Sequence, residues 1–515
     1  AGLNCLSEPP SLLPTPRGAE AAGGGGVAPD EGDEETVGRM RLHRHHVLGH
    51  GASGAVVYVG SYAGKRAAIK MVAARHPAPP NQPSGVGQGT PASGLGVRGG
   101  DRALLAAREA ELLNLCENEH SHPNVLRLFG YEDDPAIGVS YLALELCVAS
   151  LHELVQNSVQ PAQCTSRRRD LLTKVGLLPP PLSQPLLTPQ LRRLFGEMLS
   201  AVAHLHRLGI LHCKLRPRAV LVNTHGVLKL SGLGLGRLAS ASSALLRADS
   251  RQGARDAIAS DGFDPAEAIL SVQMRGGCDG SSAASPELKR AADAFSSGVL
   301  VFWTLSGGRH PFGDDVGQRT ASILSGGPTQ LALLRDQPEA QHLVEAMTRF
   351  QPGERLRADQ AAEHPCLWSD EQKLLFVRCV ADEPSLAQEC CPLGSALEWL
   401  APEVFSQGDW TASLHTELVE TLQAHRSYRK DSLRDLLRAI RNSDHMQGMS
   451  ENVQRLLLPR PAGIALYFLP RFPALFWTLY VLVRQHWRGK SVFTPFFQWE
   501  DKLLYERSGS GKSSA

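Results

Sequence analysis

The stretch "GHGASG" (Gly49 to Gly54) has the spacing GxGxxG, in which glycines let backbone amides approach a phosphate closely. Dinucleotide folds open a helix at that point, whereas here Ala55 to Gly60 reads as a β-branched strand leading to "AAIK" and Lys70. Gly49, Gly51 and Gly54 therefore read as a hairpin loop over phosphates. Lys70 can neutralise them, and Glu109, on the helix that follows, is placed to hold Lys70. The alternative is that Lys70 and Glu109 only brace two lobes. A second polar cluster lies in "HRSYRKDSLRDLLRAIRNSDHM" (His425 to Met446). There Leu433, Leu436, Leu437 and Ile440 fall at i, i+3, i+4 and i+7, so one helix face is core. Arg434, Arg438 and Arg441 form an adjacent stripe, with Asn442 and His445 just beyond the helix. Spacing alone leaves that stripe two readings, a solvated face or a cationic grip on phosphate.

These clusters need elements to position them. Val47 to Val72 alternates as strand, loop, strand, hairpin, strand, with Gly64 at a turn, and a helix is expected around Arg102 to Cys116. "VSYLALELC" (Val139 to Cys147) reads as a buried strand ending at a connector. Thr188 with Pro189 opens a helix carrying Leu191, Leu194, Phe195, Met198, Val202 and Leu205 at helical spacing. Ser432 followed by Asp435 is a capping-box signal for the arginine helix. Low-complexity insertions are read at 73–100, 156–189 and 239–284, the second as a surface loop. Residues 1–40 read as disordered and 498–515 as a flexible tail.

Composition narrows the classes. The chain has 515 residues, 42% of them hydrophobic, enough for two or three cored domains. Its 53 Lys and Arg nearly balance 52 Asp and Glu, so bulk charge points to neither a nucleic-acid coat nor a membrane-surface binder. Ten scattered cysteines without a CxxC suggest free thiols in a reducing compartment, with neither a zinc site nor a disulfide framework. In "ALYFLPRFPALFWTLYVLV" (Ala465 to Val483), Arg471 leaves only about a dozen uncharged residues, short of the roughly 20 that span a bilayer. A buried amphipathic helix is expected instead. The chain opens at Ala1 and carries no signal peptide, which reads as a fragment, with upstream membrane or sensor segments left open.

With these elements in place, "HSHPNVLRLFGY" (His120 to Tyr131), "YLALELC" (Tyr141 to Cys147), "SPE" (Ser285 to Glu287), "DAFSSG" (Asp293 to Gly298) and "HPFGD" (His310 to Asp314) resemble successive landmarks of the protein-kinase fold over residues 41–368. The resemblance implies an ATP or ADP pocket formed by the glycine loop, Lys70 and Glu109, with Glu145 and Cys147 on the connector. "GILHCKLRPRAVLV" (Gly209 to Val222) resembles the catalytic loop of that fold, but Lys214 stands at its base position and Ala219 at its amide position. In "SGLG", Gly232 stands where the magnesium-holding acid is needed. A nucleotide-binding pseudokinase is therefore expected, with magnesium binding doubtful and no metal ligands assigned. Lys214 and Arg216 are candidates for attracting phosphate by charge alone.

"SYRKDSLRDLLRAIRN" together with "YFLPRFP" (Tyr467 to Pro473) is similar to the kinase-extension nuclease domain over residues 369–497. That domain follows the kinase fold in the inositol-requiring unfolded-protein sensors and in ribonuclease L. The resemblance implies RNA cleavage by attack of a ribose 2′-OH on its own phosphate, without metal. By that resemblance Tyr428 and His445 form the proton-transfer pair, and Arg441 and Asn442 grip the phosphate. In the family's pattern the histidine stands one residue further from the asparagine, a place held here by Met446. The downstream "MSENVQRLL" (Met449 to Leu457) is also one residue early, which reads as a single deletion before His445.

The expected fold class is α+β, a bilobal protein-kinase-like fold followed by an all-α kinase-extension nuclease domain. The expected function is an endoribonuclease in unfolded-protein signalling and mRNA processing. Its partners would be RNA, a nucleotide and a second copy of the chain, with no membrane segment in these residues. Its place would be the cytoplasm, or the cytosolic part of an endoplasmic reticulum membrane protein if upstream segments are missing. The rivals are an active Ser/Thr kinase and a catalytically inactive scaffold.

Overall fold

The computed structural model describes residues 34–51, 55–73, 99–159, 165–178, 187–233, 237–238, 262–274, 285–387, 392–405, 407–444 and 450–500. Strands β1 (Glu34–Val37), β2 (Met40–His50), β3 (Val56–Tyr62), β4 (Lys65–Ala73), β5 (Leu128–Asp134) and β6 (Val139–Leu144) form one sheet in the order β1-β2-β3-β4-β6-β5. Neighbours in it are antiparallel. Ala63 (φ +48°) and Gly64 (φ +80°) turn the chain between Tyr62 and Lys65. Positive φ at both central residues matches the twist of a tight hairpin, and glycine takes it without strain.

Alternation along β4 decides where Lys70 goes. Ala67 and Ile69 join Met40, Leu42, Tyr58, Tyr141 and Ala143 on one face, while Ala68 and Val72 pack on the other with Ala106, Ala110 and Leu113. The last three belong to helix α1 (Gly99–His120). Lys70 shares the face of Ala68 and Val72, so it meets the helix that carries Glu109.

The larger lobe is built on two helices. Thr188 caps Pro189–Arg207 by accepting from the Leu191 amide, and Leu191, Leu194, Phe195, Met198, Val202 and Leu205 are all buried, as their spacing requires. Ser285 caps Pro286–Leu305, whose second half is fully enclosed. The "SPE" landmark is thus a helix start. Ser369, with Gln372, caps Asp370–Ala381 and leads into the helical extension. The extension continues through Pro392–Val404, Thr416–His425, Leu433–Asn442, Glu451–Leu457, Ala462–Phe468 and Leu475–His486. Phe376, Phe476, Tyr480 and Phe497 pack ring to ring inside it. One continuous apolar core runs from the larger lobe into this extension.

Several expectations are corrected here. Glu34–Val37 pairs with β2, so the span read as disordered through residue 40 ends in a strand. The loop read at 156–189 contains the helix Ser166–Val175, whose Leu171, Leu172 and Val175 are buried. The linker read at 239–284 contains the helix Ala266–Met274, whose Glu267 makes a bidentate ion pair with the enclosed Arg355. Sequence reading missed that pair because its members are 88 residues apart. Trp499 and Glu500, placed in the tail, are buried, and Glu500 accepts from Tyr480 and Arg484. The "ALYFLPRFPALFWTLYVLV" stretch is two helices broken at Pro470–Pro473, because proline removes a backbone donor and clashes with the preceding turn. Among the described residues no helix is long and apolar enough to cross a membrane.

Candidate functional site

In the nucleotide cleft, Lys70 Nζ donates to Glu109 Oε2, and both side chains are largely withdrawn from solvent. The Gly51 amide donates to Ala55 O at 2.8 Å, which folds the glycine loop back on itself. The register of β2 on β3 shifts between Val47 and Gly49, where the loop departs from the sheet. A Cβ at Gly49 would meet nothing within 4 Å, leaving that backbone open to a ligand. Gly54 lies outside the described residues. On the connector, Glu145 pairs with Lys229 at 2.8 Å, a buried cation that the sequence reading did not single out. Burial, and then Glu145, push the Cys147 thiol up to about 12, so it is a neutral wall and not a nucleophile.

The catalytic-loop scaffold is intact. Asp293 accepts from the His212 and Cys213 amides, each at 2.9 Å, and contacts His206 Nε2 at 2.9 Å. Burial pulls the Asp293 carboxyl up, but His206 and His212 outweigh it and hold the group below its ordinary range. His212 Nε2 lies 2.9 Å from Ser231 O, and burial lowers its pKa, so the ring is neutral and structural.

On that scaffold Lys214, Ala219 and Gly232 stand where the kinase pattern has an acid, an amide and a second acid. A Cβ added at Gly232, which has φ +82°, would lie 3.7 Å from the Ala219 methyl. The two positions that the kinase resemblance assigns to metal ligands thus face each other, and neither supplies a carboxylate or an amide. Magnesium does not fit this pair. Arg216 donates to Asp264 at 2.7 Å and lies over the Phe263 ring. The expectation that it attracts phosphate is corrected, because its charge is already neutralised.

In the helical extension the polar groups converge. Leu433, Leu436, Leu437 and Ile440 are fully buried, each contributing ~1.5–3 kcal/mol of apolar burial, and this fixes which way the helix faces. Ser432 accepts from the Asp435 amide at 3.1 Å. The capping box is only half made, because the Asp435 carboxylate turns to the Arg429 amide at 2.8 Å and to Arg438 at 2.9 Å. That diversion anchors the loop bearing Tyr428 to the helix ending in Asn442. Asn442 is the last helical residue, so the helix runs one residue further than the spacing suggested.

Asn442 Nδ2 donates to Tyr428 Oη at 2.8 Å, and Arg441 Nε donates to Asn442 Oδ1 at 3.4 Å. Trp410 sets its ring at 85° to that of Tyr428 and donates its indole N–H to Arg429 O at 3.0 Å. The phenol therefore approaches from a braced loop and the amide from a buried helix. His445 lies outside the described residues. Its predecessor Asp444 is held from two sides, by the Arg378 guanidinium at 2.5 Å and by Arg460 on its carbonyl. The arginine stripe divides. Arg438 pairs with Asp435 at 2.9 Å, Arg434 and Arg441 meet Glu398 and Asp382 at 3.5 Å each, and Arg441, the most exposed of the three, also donates to Ala381 O at 3.4 Å.

Comparison with known proteins matches these two regions separately. The family described as "Protein kinase domain" matches residues 42–367, and the family described as "Ribonuclease 2-5A" matches residues 373–497. The rice serine/threonine-protein kinase/endoribonuclease IRE1 is 30% identical over 90% of this chain and 45% of its own length. The human serine/threonine-protein kinase/endoribonuclease IRE2 is 30% identical over 90% of this chain and 43% of its own. The fission yeast sensor for unfolded proteins in the ER, ire1, is 26% identical over 88% and 39%. The chain spans about half the length of the curated relatives it matches. With a kinase domain matched over more than half its length, a ribonuclease-type domain directly after it and these relatives, the chain belongs to the IRE1-type serine/threonine-protein kinase/endoribonuclease family.

Proposed function

We propose that this chain is an RNA endonuclease whose kinase-like part is a nucleotide-responsive pairing scaffold. The observation that carries the reading is the Asn442 to Tyr428 hydrogen bond beside the weakly engaged Arg441. In the proposed reaction the ribose 2′-oxygen forms a bond to the adjacent phosphorus and the bond to the 5′-oxygen breaks. One member of the Tyr428 and His445 pair takes the 2′ proton, and the other supplies a proton to the departing 5′-oxygen. Histidine suits the second task because its ordinary pKa lies near working pH. Arg441 and Asn442 donate to the phosphate oxygens as charge builds there. The products are a 2′,3′-cyclic phosphate and a 5′-hydroxyl, and DNA, which lacks the nucleophile, is not cut.

Lys70, Glu109, Gly49, Gly51, Gly54, Glu145 and Cys147 would hold ATP or ADP, with Lys70 on the phosphates. Nothing at Gly232, Ala219 or Lys214 would move a phosphoryl group onward. Nucleotide occupancy would favour self-association, which brings two nuclease centres together for cutting. The site of action would be the cytosolic side of unfolded-protein signalling.

A stem-loop RNA incubated with the chain in EDTA tests this. Cleavage leaving a cyclic phosphate, lost in His445→Ala, is expected. Intact RNA at concentrations where the chain self-associates would favour the inactive scaffold. Label transferred from ATP and Mg²⁺ to protein, and lost in Lys70→Ala, would overturn the pseudokinase reading.

A further inference from the structure

The helix Asp370–Ala381 has a different neighbour at each end. At its start, on the seam with the kinase fold, Arg192 donates to Asp370 at 2.6 Å and Lys373 donates to Glu339. At its finish it meets the end of the helix Leu433–Asn442, and two ion pairs run between them in opposite directions. Arg378 reaches Asp444 at 2.5 Å, with both side chains mostly enclosed. Arg441 reaches Asp382 at 3.5 Å, and there the carboxylate is 62% exposed. The close pair fixes how the two helix ends meet. The open pair adds little to stability, as exposed pairs do, and what it governs is where the Arg441 guanidinium sits.

That guanidinium is seated on three acceptors. Its Nε lies 3.4 Å from Asn442 Oδ1, and its Nη1 lies 3.4 Å from Ala381 O and 3.5 Å from Asp382 Oδ1. Each contact is longer than the ~2.7–2.9 Å of a well-made charge-assisted bond. Ala381 is the last residue of its helix and Asp382 is the C-cap, so the negative end of that helix also favours a cation here. Phosphate oxygens at ordinary bonding distance would displace all three contacts. The guanidinium is thus aimed beside Asn442 without being tied down.

We propose, resting on the nuclease reading above, that Asp382 is a positioning residue for RNA cleavage, holding Arg441 beside Asn442 in the free chain and releasing it to the scissile phosphate. In this role Asp382 acts through Arg441 and moves no proton itself. Because the guanidinium is already in place when RNA arrives, less ordering is left for the step in which charge builds on phosphorus. The same carboxylate opposes the incoming phosphate charge, so its removal does not weaken binding.

Single-turnover cleavage of a stem-loop RNA in EDTA, with the full chain over a range of concentrations, separates the two effects. Asp382→Asn should lower the saturating rate about tenfold, while the half-saturating concentration stays equal or falls. A copy of that RNA blocked by a 2′-O-methyl group at the cut should bind Asp382→Asn at least as tightly as the unsubstituted chain. Asp382→Glu should recover most of the lost rate, and the melting temperature should stay nearly unchanged in both. In Arg441→Ala, adding Asp382→Asn should change the rate by less than about twofold, because the partner through which Asp382 acts is gone. A further tenfold loss there, weaker binding of the blocked RNA, or an unchanged saturating rate in Asp382→Asn beside an active unsubstituted chain would overturn this proposal alone. An unsubstituted chain that leaves the RNA whole would overturn the nuclease reading and this proposal together.

Discussion

The kinase-like cleft and the helical extension treat their polar residues in opposite ways. In the cleft, the groups that hold backbone in place remain, as with Asp293 on the His212 and Cys213 amides, while the positions that would hold metal are Gly232 and Ala219. In the extension, a half-made cap and a buried helix face bring a phenol, an amide and a guanidinium to one place. Architecture and chemistry are separable. A loop can be kept for its hydrogen bonds to neighbouring elements after its reacting side chains are gone.

The sharpest way to break this contrast is at the proposed proton-transfer pair. His445→Ala and Tyr428→Phe should each lower RNA cleavage by ~10²–10⁴-fold, read from single-turnover rates, with the melting temperature nearly unchanged. Restoring acids in the cleft, as in Gly232→Asp with Lys214→Asp, should leave those rates within a factor of two or so. A large change would mean that the two regions share chemistry.

Asp293→Ala probes architecture alone. It strands two backbone amides, and a loss of ~3–5 kcal/mol in denaturant unfolding is expected. Unchanged stability would show that the catalytic-loop scaffold is not structural.

Acid should act on the kinase-like part through its buried histidines. Burial, and then Arg319, lower His310 to about 3, and burial also lowers His342 and His364 on the seam. Below an unfolded value near 6.5 the unfolded chain binds the proton that folded His310 refuses. Stability is therefore full above pH 6.5 and is lost as pH falls toward 3. By pH 5 His310 alone should remove ~2 kcal/mol, and His310→Gln should flatten that slope in pH-dependent melts. A smaller loss of stability is expected at the cap. Ser432→Ala should cost ~1 kcal/mol, seen as a shift of the denaturant midpoint, because the Asp435 amide loses its acceptor.

Much of this was legible in the sequence. The GxGxxG spacing ahead of "AAIK", the Thr188 cap and the leucine period of the helix Leu433–Asn442 are local patterns, and local patterns fix local structure. The contact of Lys70 with Glu109 followed from strand alternation and the helix that comes next. The helices Ser166–Val175 and Ala266–Met274 were missed because both lie in stretches rich in glycine, proline or small residues. Their helicity comes from packing, as with Leu171 and Leu172, or from an anchor such as Glu267 on Arg355.

The sequence by itself determined the residue types at each reacting position, including the absence of an acid at Gly232 and Lys214, and the periods that assign helix and strand faces. Only the tertiary structure decided which charges remain available. Arg216 is held by Asp264 at 2.7 Å and Arg438 by Asp435 at 2.9 Å, whereas Arg441 reaches its carboxylate, Asp382, only at 3.5 Å. It also decided that the kinase fold and the helical extension share one core. The reason is physical. A side chain's charge and size are set by its identity, but its partners are set by chain segments tens of residues away, brought close only when apolar burial folds the whole.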